Sequence, residues 1–265
     1  MLRSLYSGVT GMRNHQLRMD VVANNIANVN TIGYKAARAS FQDNLYQTLK
    51  STSSTGTSNV APLQVGSGMN ISSIDTVFIQ GALQVTGRPL DLAIQGNGFF
   101  AIKKDANSAA TYYTREGSFF LNTEGYLVNS QGYYVLDTAG STIQITDQIA
   151  SIQVARDGTI SYTLLDGTVT TLPNKIGITY IQNPESLLRE GQNLYAASPN
   201  TATPSSGEAG TEGRGTIEAG FLEMSNVDLS LEFTNMIITE RGYQANARVI
   251  TTSDEMLREL IDLKR

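Results

Sequence analysis

The chain has no cysteine, and His15 is the single histidine among 265 residues. Disulfides, thiol catalysis and zinc sites built from cysteine and histidine are therefore excluded. Charge is sparse as well: 16% of residues are Asp, Glu, Lys or Arg, and the net charge is -5. Phosphate backbones are gripped by clustered Lys and Arg, so this balance argues against a nucleic-acid partner. No run of eighteen apolar residues occurs, which leaves no membrane-spanning helix. The opening residues, MLRSLYSGVTGM, have no apolar h-region, so no cleavable signal peptide is expected. What is present is 40% hydrophobic residues, enough for a core, with a surface left to Ser, Thr, Asn and Gln.

The apolar residues at the two ends follow a helical beat. Leu229, Met236, Tyr243, Ile250 and Leu257 recur every seven positions, and four residues after each come Phe233, Glu240, Ala247, Asp254 and Ile261. No proline interrupts them, so the spacing predicts a long helix lying along a partner helix. Ser225 and Asp228 are candidate caps at its start, and Lys264 and Arg265 suit the carbonyl end of its dipole. The two acids in the second row fit a crowded assembly better than a two-stranded zipper. At the other end Leu5, Met12, Met19 and Ile26 recur every seven, flanked by Val9, Val22 and Val29. Gly8 and Gly11 weaken that helix by roughly 1 kcal/mol each relative to Ala, but let a neighbouring backbone approach. For the N-terminal seam, an amphipathic helix packed on its own domain's core is the usual reading of such a pattern. The four asparagines Asn24, Asn25, Asn28 and Asn30 then end the helix ahead of a turn at Gly33. They serve either as cap and turn or as an amide ladder between packed subunits.

Between the ends the period changes. Phe41, Leu45 and Leu49 are four apart, which suggests a short helix over residues 36–50, followed by a Ser/Thr-rich spacer at 51–62. From Leu63 apolar residues alternate, and a meander is expected over 113–145 with turns at NTEG, NSQG and DTAG. Further hairpins fall at Asp157-Gly158 and Asp166-Gly167, and a strand at Thr216–Leu222. The fold class expected is α+β: N- and C-terminal helices paired antiparallel in coiled-coil fashion, with an inserted antiparallel all-β domain. The divisions are 1–35 with 225–265 for the helical part, 36–85 for a spacer, 86–198 for the β domain and 199–224 for a linker and return strand.

No catalytic constellation emerges. His15 sits between Asn14 and Gln16 as a helical surface residue, and no G-x-S-x-G occurs. Gly96-Asn97-Gly98 lacks the remaining residues of a phosphate loop. A carboxylate pair among Asp137, Asp147, Asp157 and Asp166 stays open, although all four suit turns. No cofactor and no metal is expected.

ANNIANVNTIGYK, with Asn24, Asn25, Asn28, Gly33 and Lys35, resembles the signature of the bacterial flagellar hook and rod axial proteins. Residues 220–265 resemble that family's C-terminal helix, and residues 87–102 and 113–136 its β core. The resemblance implies a non-enzymatic, self-assembling subunit of a helical tube that transmits motor torque. It implies copies of the chain as partners, other axial proteins above and below, an assembly cap and the flagellar export apparatus. It also implies a place in the hook or basal body. Phe41 with Leu45 fits the family's proposed export element, and equally an amphipathic turn. Residues 1–12 and the ending TTSDEMLRELIDLKR look most like short hook proteins, while the length and residues 63–100 resemble distal-rod proteins. The reading leans to hook. A secreted coiled-coil adhesin and a β-domain hydrolase are the alternatives of other classes.

Overall fold

The computed structural model describes residues 2–50, 62–106, 108, 110–146 and 149–263. Residues 51–61 of the expected 51–62 spacer, Asp147 and Lys264–Arg265 lie outside the described residues. The chain forms two compact units: residues 1–27, 37–76 and 228–265 make one, and 28–36 with 77–227 make the other.

The first unit is helical. Helix α1 (Leu2–Ala27) runs through Asn24 and Asn25, which therefore do not end it as expected; it gives way to a turn at Asn28, whose carbonyl accepts from the Thr31 amide. Helix α2 (Leu229–Asp262) starts at Asp228, whose carboxylate accepts from the Ser230 and Leu231 amides. Ser225 plays no part in that cap; its hydroxyl accepts from Val227.

The short helix expected over 36–50 is absent. In its place are strands β1 (Ala37–Asp43) and β2 (Tyr46–Lys50), paired antiparallel with β4 (Met69–Thr76) and β3 (Leu63–Gly66) respectively. The four-residue spacing of Phe41, Leu45 and Leu49 gave the wrong period because only Phe41 is even partly covered, opposite Ile71 on β4; Leu45 and Leu49 are exposed. Asn25 holds β1 to α1 by donating to the Ala37 carbonyl at 2.8 Å and accepting from its amide at 2.9 Å. Asn14 donates to Met69 on β4.

The second unit is an antiparallel β body. A nine-stranded sheet runs in the order 188–191, 194–196, 112–114, 99–103, 134–135, 127–129 and 119–121, with 178–180 also pairing on 99–103 and carrying 205–207. Strands 149–154, 159–164 and 169–175 form a second sheet. The core between them includes Leu92, Phe100, Ile102, Phe119, Ile160, Ile176 and Ile217, with Phe100 and Phe119 edge to face at 5.1 Å. The three meander turns share one chemistry. Asn122, Asn129 and Asp137 each accept amides two and four residues on through Oδ1. This local closure explains why a polar residue followed by Gly three positions later recurs. The return strand expected at Thr216–Leu222 is broken at Gly220 into 216–219 and 221–223.

Candidate functional site: an assembly surface and a buried charge cluster

In the first unit α1 and α2 lie antiparallel. Ser4 meets Ser253, Gly8 faces Ile250, Gly11 faces Asn246, His15 faces Gly242, Arg18 donates to Asn235, and Asn25 donates to Glu232. Only small residues permit this spacing: a Cβ on Gly242 would stand 2.6 Å from the His15 ring, and one on Gly11 2.7 Å from the Asn246 amide. The row of α2 that faces α1 is Glu232, Thr239, Asn246 and Ser253, again seven apart but polar; Glu232, Thr239 and Ser253 are buried and Asn246 is partly covered. Thr239 is 0% and Ser253 2% exposed, and their hydroxyls bond back to carbonyls four residues earlier.

The expected seam residues are covered to different degrees within one chain. Met236, Ala247, Ile250 and Leu257 on α2, and Leu5, Met12, Met19, Ile26 and Val29, are partly covered, and Val22 is buried. Leu229, Phe233, Tyr243 and Ile261 are exposed. Along one flank of α2, Leu231, Ile238, Val249, Met256 and Leu260 follow at steps of seven, eleven, seven and four, which keeps them on one face. None of that stripe is covered within the unit; Ile238 is 52% exposed.

His15 is half-buried, which corrects its assignment to the helix surface. Its ring packs edge-on to Phe41 at 5.6 Å, and its Nδ1 is buried without a hydrogen-bond partner. Burial first, and the Arg18 guanidinium second, hold its imidazole below the ordinary value of 6.5. Arg18 also lies over the Phe41 ring. Phe41 thus belongs to the packing of this unit, while Leu45 is exposed.

The family signature divides between roles. Asn25 staples β1, as described. Asn28 accepts from the Thr31 hydroxyl within the turn that follows α1, and Asn24 is exposed. Gly33 and Lys35 enter the second unit. Gly33 adopts φ 69°, and a Cβ there would meet the Arg115 backbone at 2.8 Å. Its amide donates to the Glu223 carbonyl at 2.7 Å. Lys35 is fully buried; its Nζ donates to Glu223 Oε1 at 2.6 Å and to the Ile79 carbonyl at 2.8 Å. Arg115 donates to Glu223 Oε2 at 3.1 Å and to Gly96 at 2.8 Å, and the Gly81 amide donates to Oε1. Two cations thus share one carboxylate away from water. Burial is the main cause that lowers the Lys35 pKa; Glu223 opposes that shift and Arg115 adds to it. Around the cluster Asn226 accepts from the Ala36 amide and donates to Val77, and Asn193 donates to Ile32.

Glu223, Arg115, Asn226 and the Glu232–Ser253 row escaped sequence reasoning. The row carried a signal, a seven-residue polar repeat in step with the apolar one. Glu223 carried only its place beside Phe221 and Leu222 in a short strand.

As to catalysis, Asp137 is spent on its turn, and Asp157 binds the Thr159 hydroxyl and Lys175. Among the described residues no group of three or more His, Asp or Glu is placed to hold a metal ion.

Comparison with known proteins gives matches at three places. Residues 5–35 match the family described as flagella basal body rod protein, 93–162 the flagellar hook protein FlgE/F/G D1 domain, and 218–263 the flagellar basal body rod FlgEFG protein C-terminal family. The chain is 46% identical over 268 aligned residues to the flagellar basal-body rod protein FlgG of Bacillus subtilis, with all of both chains covered. It is 37% identical to FlgG of Borreliella burgdorferi, again over the whole of both. Against the flagellar hook protein FlgE of the latter organism it is 29% identical, in an alignment stretched to 447 residues.

Proposed function

The chain belongs to the family of flagellar hook and basal-body rod proteins, a structural subunit of the flagellar axis, and we propose that within that axis it is a rod subunit. The reading of the chain ends as hook-like gives way to two supports. The match to rod proteins is nearly free of gaps, whereas the hook alignment needs long insertions.

The observation that carries the mechanism is the uncovered apolar stripe on α2. Within one chain the two helices meet largely through glycine, serine, threonine and asparagine, with Ile250 against Gly8. The stripe residues from Leu231 to Leu260 are held back on the flank. Each is worth about 1.5–3 kcal/mol when fully buried, and neighbouring copies are the surface that can bury them. Repetition of one heterologous contact without closure builds a helical tube. Isolated helices are marginal in water, so the ends firm up as neighbours arrive, and folding of the tails is coupled to assembly. Other axial proteins cover the same stripe at the ends of the rod. The buried Lys35–Glu223–Arg115 cluster fixes the turn after α1 to the β body, which gives torque a stiff element to act through.

The protein performs no catalysis in this reading. It reaches the flagellum through the export apparatus, and a cap protein guides its addition. Deletion of residues 226–265 tests the mechanism: the remainder should stay a folded monomer at concentrations where the full chain polymerises. Polymers of the truncated chain would defeat it.

A further inference from the structure

The three-stranded sheet of the β body has different ends. At one end the hairpin after strand 159–164 presents Leu165 and Val169, 68% and 70% exposed, on either side of Asp166-Gly167. At the other end, where Val154 pairs with Ile160, an open groove of about 380 Å³ is lined by Val85, Pro89, Val154 and Phe221. Ile149 pairs with Leu164 at the hairpin end, so six residues of strand, about 20 Å, separate knob from groove.

The two ends also differ in charge. The Asp166 carboxylate makes no ion pair among the described residues. Arg88 and Arg156 adjoin the groove residues in sequence, with side chains 39% and 79% exposed; Arg156 pairs with Glu218, and Arg88 pairs with Asp91, donates to the Phe119 carbonyl and lies over the Phe120 ring. The groove gathers no convergent set of polar side chains of the kind that orients a metabolite.

We propose that the Leu165–Val169 hairpin of one copy docks in the Val85–Phe221 groove of the next, with Asp166 against Arg88 and Arg156. The occupant is a second copy, an assignment that rests on the assembly reading above. Because knob and groove sit at opposite ends of one sheet, the contact is head to tail, the type that propagates from copy to copy wherever its rotation does not close a ring. It is a specific contact of the β body, separate from the helical stripe.

The absence of native cysteine makes the test direct. A Val85→Cys, Leu165→Cys chain is polymerised under reducing conditions and treated with a short thiol-specific cross-linker. A ladder of covalent multimers is expected, with none from either single variant. Mixing the two single variants should give covalent dimers only. Tubes that form normally but yield no ladder overturn the contact. Failure of the unmodified chain to form any polymer overturns the assembly reading, and this contact with it. As a second measurement, Leu165→Asp should raise the concentration needed for polymerisation at least about tenfold, with the monomer's unfolding midpoint unchanged. An unchanged critical concentration also overturns the proposal.

Discussion

The two units of this chain handle apolar surface in opposite ways. The β body buries Leu92, Phe100, Ile102, Ile176 and Ile217 completely, closes its turns with its own Asn and Asp side chains, and pairs its buried charges. The helical unit buries Thr239 and Ser253 and leaves Ile238, Leu231 and Leu260 uncovered. The same chain thus contains a part that covers its own apolar residues and a part that leaves apolar residues uncovered. Substitutions in the first should damage folding, and substitutions on the flanks of the second should damage assembly alone.

The largest folding effect should come from Glu223→Leu. It strands Lys35 and Arg115 without their shared anion, a loss of about 3–5 kcal/mol when a buried pair is broken, measurable by denaturant unfolding. Lys35→Met should cost clearly less, because Arg115 still pairs with Glu223 and the excess positive charge disappears. Equal losses from the two would contradict the view that the carboxylate is the centre of the cluster. Gly33→Ala comes next, at about 2 kcal/mol, since it adds left-handed strain to a contact with backbone.

How much of this was readable beforehand depended on distance and on polarity. The heptads at Leu229 and Leu5 announced both helices, and the Gly-ended turns announced the meander, because these signals are local. The phase of the helix contact was not readable from apolar residues, since the contact uses Glu232, Thr239, Asn246 and Ser253. Strands β1 and β2 were misread because four-residue spacing over so short a stretch fits either period. The partner of Lys35 was illegible: Glu223 lies 188 residues away, and nothing local marks a lysine for burial.

Acid should loosen the helical unit selectively. The folded state holds His15 below 6.5, so between that lowered value and 6.5 the unfolded chain binds the proton that the folded one refuses. Stability from this group is complete above that window and falls as pH drops through it. Helical circular dichroism of the monomer should weaken as pH falls below 6.5, and His15→Gln should flatten the response. A profile identical in both proteins would remove His15 from the account.

The smallest effect on folding should come from Ile238→Glu, which is expected to shift monomer stability by no more than about 0.5 kcal/mol while abolishing polymerisation. A large loss of monomer stability would mean that the stripe is already covered within one chain.

The most direct test of the contrast is hydrogen exchange on the dilute monomer and on the polymer. Amides of α1 and α2 should exchange far faster than those of strands 99–103 and 178–180 in the monomer, and should become as protected as the sheet on polymerisation. Helices as protected as the sheet before any polymer forms would contradict the central claim.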